Sequence, residues 1–195
     1  MPRPKTITDQ RLLDAAGVVI ARGGPGFTLA QVAEEAGVAV GTVAGRFGSK
    51  SGLLRALTVH TTAQVVAGMR AAADTRPDTV DGLVAVAVAA YRNLGDAEAA
   101  TNNLGQLGVD LLDPDLRTLL GEHYAAMEGE LRRAFRAAEP ALPGAPPERL
   151  AARVLLSLAT GVAMDWSIRP RGRLADRLRE DVEAVLTGWR RAEEE

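Results

Sequence analysis

The sequence contains no cysteine, so neither a disulfide nor a thiolate-held metal can organise it. Its two histidines, His60 and His123, are too few and too far apart for a metal motif, and neither a metal nor another cofactor is expected. Aromatic residues make up only 4% of the chain, and β-branched residues rarely alternate with polar ones over strand-length runs, so no sheet is expected. The longest aliphatic run, residues 83–90, falls far short of the ~20 residues needed to cross a bilayer. Residues 1–10 are polar, with Pro2 and Pro4, and do not read as a targeting segment. A soluble, cytoplasmic protein with no membrane partner is the expectation.

What is present is helical. The 195 residues are 47% hydrophobic and rich in alanine, leucine, valine and arginine, which suits a small domain joined to a larger helical body. A first helix is expected over 9–22, with Leu12, Leu13, Ala16, Val19 and Ile20 on one face, stopped by Gly23, Gly24, Pro25 and Gly26. Thr28 with Gln31 three residues on forms a capping box for a short helix over 29–36, which Gly37 ends. A third short helix covers 39–47, and Ser49 caps a long fourth over 50–73. The body then reads as helices over 80–94, 97–111 (capped by Asp96) and 114–138, with Pro114 at its favoured first position. The helix over 114–138 carries the stripe Leu120, Tyr124, Met127, Leu131 and Phe135. After the proline-rich loop 139–147 come two last helices, 148–168 and 174–191, and a solvated acidic tail, Glu193–Glu195. The fold class is therefore all-α, with about nine helices.

Charge is unevenly spread. The net charge is −2, which argues against nucleic acid until the halves are separated. Residues 1–60 hold seven bases (Arg3, Lys5, Arg11, Arg22, Arg46, Lys50, Arg55) and four acids (Asp9, Asp14, Glu34, Glu35), for +3; the remainder carries −5. A small positive domain on an acidic body suits a protein of which one end meets phosphate.

The informative stretch is residues 28–47, TLAQVAEEAGVAVGTVAGRF, in which two short apolar-periodic helices are joined by a glycine turn. This is helix-turn-helix patterning: Ala33 is small enough for the second helix to cross closely, Gly37 suits a left-handed turn, and Val32, Val38 and Val43 can share a core. Together with Phe47-Gly48-Ser49-Lys50-Ser51-Gly52-Leu53-Leu54, residues 8–60 resemble the DNA-binding domain of the TetR family. Over the rest of the chain the resemblance extends only to helix number, helix length and the two terminal helices.

The resemblance implies a DNA-binding domain over 6–66, with the motif at about 29–48, and a helical ligand-binding and dimerisation domain over 67–195. Thr28 and Lys50 would hold backbone phosphates, where helix N-termini add free amides. Val40, Gly41, Thr42 and Ala44 would face bases in the major groove, Arg46 would lie near the backbone, and Phe47 would be core. The sequence departs from the pattern at Ala44, where a tyrosine usually supports a phosphate contact. The reading helix has no Asn, Gln, Lys or Asp, so readout should lean on thymine methyl contacts and DNA shape. Gly41 and Gly45 each cost about 1 kcal/mol of helix propensity, which suits a helix completed on DNA. Arg3 and Lys5 could add minor-groove contacts.

In the same family the last two helices pair with their symmetry mates. Leu150, Val154, Leu158, Val162 and Trp166 form one stripe here, and Leu174, Leu178, Val182, Val185 and Trp189 a matching one; part of each must also serve the chain's own core. A homodimer would set two reading helices about one DNA turn apart on a near-palindromic operator. The resemblance further implies a repressor whose unknown small-molecule effector shifts the fourth helix and spreads the heads. Tyr91, Asn103, Gln106, Asp110, His123, Tyr124, Met127, Met164, Asp165 and Trp166 are candidate pocket residues, being polar or bulky interruptions of apolar helices. Gly105 and Gly108 loosen the helix that bears Asn103. No enzyme is expected: GRFGSKS, residues 45–51, lacks the spacing of a phosphate-binding loop, and no nucleophile accompanies Asp110, His123 and Asp165. The competing reading is a helical small-molecule carrier or partner-binding protein whose head no longer reads DNA.

Overall fold

A computed structural model describes residues 7–190. Arg3, Lys5 and the acidic tail lie outside the described residues, as does Arg191, the expected end of the last helix. Among the described residues the chain is all-α, with nine α-helices: α1 (Asp9–Gly23), α2 (Leu29–Ala36), α3 (Val40–Phe47), α4 (Lys50–Thr75), α5 (Val80–Ala89), α6 (Ala97–Asp110), α7 (Pro114–Ala138), α8 (Glu148–Ile168) and α9 (Leu174–Trp189). By contact they form two compact units, residues 7–61 with 98–120 and residues 62–97 with 121–190.

The first unit is built by local signals. Thr8 caps α1, accepting from the Arg11 amide, and the Gly24 amide closes the helix onto Ile20 O before a single 3-10 turn, Gly24–Gly26. The Thr28 capping box is complete: the Gln31 amide donates to Thr28 Oγ1 (3.3 Å) and the Thr28 amide to Gln31 Oε1 (2.8 Å). Gly37 sits at φ 69°, the left-handed turn that ends α2. Ser49 Oγ accepts from the Gly52 amide (3.0 Å) and starts α4. Leu12, Ala16, Val32, Val43 and Leu53 are wholly buried and pack with Phe27 and with Leu116 of α7. Burial of each large apolar side chain here contributes roughly 1.5–3 kcal/mol. Val38 and Phe47 pack against this core from partly exposed positions.

The second unit centres on Met69 of α4, Leu83 of α5, Met127, Leu131 and Phe135 of α7, Leu155 of α8, and Val182 and Leu186 of α9. Trp189 meets the Phe135 ring edge-on at 6.1 Å. Helix α5 ends at Ala89 rather than near Leu94: the amides of Tyr91, Arg92 and Leu94 bond three residues back, tightening the chain into turns ahead of Gly95 at φ 82°. Helix α8 is, among the described residues, the one helix long and apolar enough by composition to cross a membrane, yet half of that stretch is buried within the chain.

The two stripes expected on α8 and α9 divide between core and surface. Val162, Trp166, Leu174, Leu178 and Val182 are buried in the chain's own core, while Leu150 and Val154 remain 39% and 36% exposed. Met164 and Ile168 join them on the surface, at 52% and 64%.

Candidate functional site

Helix α3 has no side-chain cap; Ala39 precedes it in extended backbone, and its only buried residue is Val43, which anchors it to α1 and α2. Phe47, at its end, packs against the same core from a half-buried position, and the rest of α3 is at least partly accessible. Val40 is 51% exposed; Gly41, Gly45 and Arg46 are exposed, and Thr42 and Ala44 half-buried. The face carrying Val40, Gly41 and Thr42 thus offers one hydroxyl and little bulk, which fits apolar and backbone-close contact with a base edge rather than bidentate hydrogen bonding. With no Cβ at Gly41 or Gly45, and nothing within 4 Å of where one would stand, a duplex could approach the backbone of α3 closely.

The flanking polar residues have partners of their own. Thr28 is exposed at the start of α2, its hydroxyl 3.1 Å from Gln31 Oε1. Arg46 is ion-paired with Asp9 at the start of α1, a pairing the sequence reading missed because the two lie 37 positions apart. Lys50 turns inward. Its Nζ donates to the carbonyls of Pro25 (2.7 Å) and Phe27 (2.8 Å) and stands 4.1 Å from the centroid of the Phe27 ring.

The candidate pocket residues separate. In the second unit the hydroxyls of Tyr91 and Thr160 lie 2.6 Å apart, His123 Nδ1 lies 2.9 Å from Thr62 Oγ1, and His123 meets the Tyr124 ring edge-on at 5.6 Å. Burial pushes the phenols of Tyr91 and Tyr124 up and His123 down, so all three stay neutral at pH 7. Met127, wholly buried, belongs to the core beneath this polar set. Thr62 and Thr160 were not foreseen, because a lone threonine in an apolar helix reads as a helix-bonded residue; Thr160 does also reach Leu156 O, at 2.8 Å.

Met164 is on the surface, Asp165 is clamped by Arg169 and Arg177, which hold its carboxyl below the usual range, and Trp166 Nε1 donates to Gly172 O. Asn103, Gln106 and Asp110 lie on α6, in the first unit, where Gln106 Nε2 donates to Asp110 Oδ1 (2.6 Å). Burial raises the Asp110 carboxyl. Elsewhere in the second unit a groove of about 340 Å³ is floored by Met69, Leu83 and Val86, and none of the candidate residues lines it. At its edge the buried Glu130 is held by Arg70, which donates twice to Oε1 (3.0 and 2.8 Å), and by Arg133.

Comparison with known proteins agrees with this geometry. Residues 12–57 match the family model described as bacterial regulatory proteins, tetR family. No curated protein matches the chain. Among solved structures, the fatty acid degradation regulator FadR of Bacillus halodurans aligns at TM-score 0.74 and 19% identity, covering 93% of this chain and 99% of that one. FadR of Bacillus subtilis, solved in complex with stearoyl-CoA, aligns at TM-score 0.71 and 21% identity, covering 93% and 99%. The TetR-family regulator PfmR of Thermus thermophilus aligns at 0.68 and 20%, covering 91% and 98%. At such identities the structures speak for the fold, and the family match speaks for residues 12–57. Residues 12–57 thus carry a helix-turn-helix of the tetR family of bacterial regulatory proteins, and the chain as a whole shares the fold of these solved structures.

Proposed function

We propose that the chain is a homodimeric repressor that leaves a near-palindromic operator when a small molecule occupies its body. The observation that carries the reading is α3, held by one buried residue, Val43, with Val40 and Gly41 turned to solvent and a capped α2 beside it. Residues 6–66 are assigned to DNA, with Thr28 at a phosphate, Val40, Gly41, Thr42 and Ala44 at base edges and Arg46 near the backbone; residues 67–195 are assigned to effector and partner. A cytoplasmic location goes with this work.

Dimerisation is supported by α8. Leu150, Val154, Ser157, Gly161, Met164 and Ile168 follow one another at steps of four and three, and all are exposed. Those steps average the helix repeat, so they trace a straight apolar strip with small residues in its middle, suited to close packing against the same strip of a second copy. Tyr91, Tyr124 and His123, with Thr62 and Thr160, are the favoured effector contacts, a neutral hydrogen-bonding set above the apolar Met127. The bound stearoyl-CoA of the Bacillus subtilis neighbour makes an acyl-CoA thioester the first probe to try.

The test is a salt titration of binding to duplex DNA from beside the chain's own gene, with and without stearoyl-CoA. A regulator binds with a steep salt slope and is released by its effector. A carrier with a degenerate head shows no such slope, and that result would remove the proposal.

A further inference from the structure

The ammonium of Lys50 is spent inside the head. It closes the 3-10 turn between α1 and α2 by taking both the Pro25 and the Phe27 carbonyls, at 2.7 and 2.8 Å, while covering the buried Phe27 ring. Two charge-assisted hydrogen bonds and a cation–π contact hold it there. The same turn is fixed from α6. Asn102 Nδ2 donates to Ala21 O (2.8 Å), and Gly24, at φ 61°, leaves only 3.2 Å between a would-be Cβ and Asn102 Oδ1. Asp110, buried on α6, also feels the Lys50 charge. The next residue along the chain after Phe27 is Thr28, the N-cap of α2.

We infer that Lys50 is a positioning residue, an internal clamp that sets where α2 begins and hence where Thr28 meets DNA, and not itself a ligand of a phosphate. This rests on the DNA-binding reading above. A phosphate ligand at this place would need the ammonium to abandon two carbonyls and a ring for a solvated anion. The clamp needs a compact cation, because three donors on one nitrogen fit two carbonyls above a ring face, and the planar guanidinium of arginine does not. Arginine would, in contrast, serve a phosphate as well as lysine does.

That difference decides the experiment. The unaltered protein and its Lys50→Met and Lys50→Arg variants are titrated with salt against a duplex that the protein itself selects from a random pool. The amide resonances of residues 27–29 are compared in the DNA-free proteins. A clamp predicts that both variants lose affinity, roughly fivefold or more, with the logarithmic salt slope unchanged, and that both move the amides of residues 27–29. A phosphate ligand predicts that Lys50→Met lowers the slope by about 0.9, that Lys50→Arg binds normally, and that the free-protein amides stay in place; that pattern would overturn the inference. Should Lys50→Met not fold, Lys50→Arg alone separates the two. Should the unaltered protein bind no duplex, the DNA reading falls, and the amide comparison still decides whether the clamp exists.

Discussion

Replacing Asp9 by Asn should tighten DNA binding while weakening the fold. Arg46 can neutralise a phosphate only by leaving Asp9, and the pair is partly exposed, its side chains 37% and 55% accessible. Exposed ion pairs contribute ~0–1 kcal/mol, so releasing Arg46 in advance should lower the dissociation constant by at most about fivefold. Asp9 is also the acidic residue in the first turn of α1, where its charge faces the positive end of the helix. Losing that contribution costs about 0.3–1 kcal/mol, to which the lost ion pair adds a similar amount at most. Fluorescence anisotropy on a selected duplex and thermal unfolding of the DNA-free protein read the two effects separately. The salt slope should stay as it is if Arg46 already reaches phosphate in the complex of the unaltered protein, and should grow by about 0.9 if Asp9 holds it back throughout. An affinity that falls together with stability would refute the reasoning, since Arg46 would then need Asp9 to present it to DNA.

Other perturbations follow from the same contacts. Burial raises Asp110, so its ionisation costs the folded state and stability falls as pH rises above the usual carboxylate value of about 3.9. Asp110→Asn, which keeps an acceptor for Gln106, should therefore be more stable than the parent at pH 7 and equal to it near pH 3, as read by denaturant unfolding. Burial lowers His123, so stability is lost as pH falls below about 6.5. His123→Asn, which can keep the Thr62 contact, should flatten the melting-temperature profile between pH 7.5 and 5; an unchanged profile would refute this. Glutamate at both Met164 and Ile168, exposed by 52% and 64%, should leave unfolding within about 0.5 kcal/mol of the parent yet turn a dimer into a monomer on sedimentation. An unaltered mass would remove α8 from the interface.

The head was legible because its signals are local. Thr28 with Gln31, Gly37 and Ser49 each act within a few residues, and a cap or a left-handed turn follows from residue type and spacing alone. What stayed hidden depends on partners far along the chain. Lys50 looks the same in sequence whether its ammonium faces solvent or Pro25, and Thr160 announces nothing about a tyrosine 69 positions away.

The α8 stripe divides between core and surface for a geometric reason. A step of four residues advances about 40° around a helix beyond a full turn, so Leu150, Val154, Leu158, Val162 and Trp166 wrap through about 160°. They pass from the exposed face to the core. The strip that stays on one face alternates fours and threes and includes Ser157 and Gly161, which no search for apolar residues collects. The close of α5 was missed because the run to Leu94 has no breaker before Gly95; the tightening begins at Ala90.

The claim on which all else depends is that the outer face of α3 reads bases. Selecting duplexes from a random pool with the parent and with Thr42→Ala and Val40→Ala tests it directly. The account predicts two inverted half-sites about one helical turn apart, with the preferred bases changed at the same one or two positions of each half-site in the variants and the salt slope retained. Identical preferences in all three proteins would contradict it.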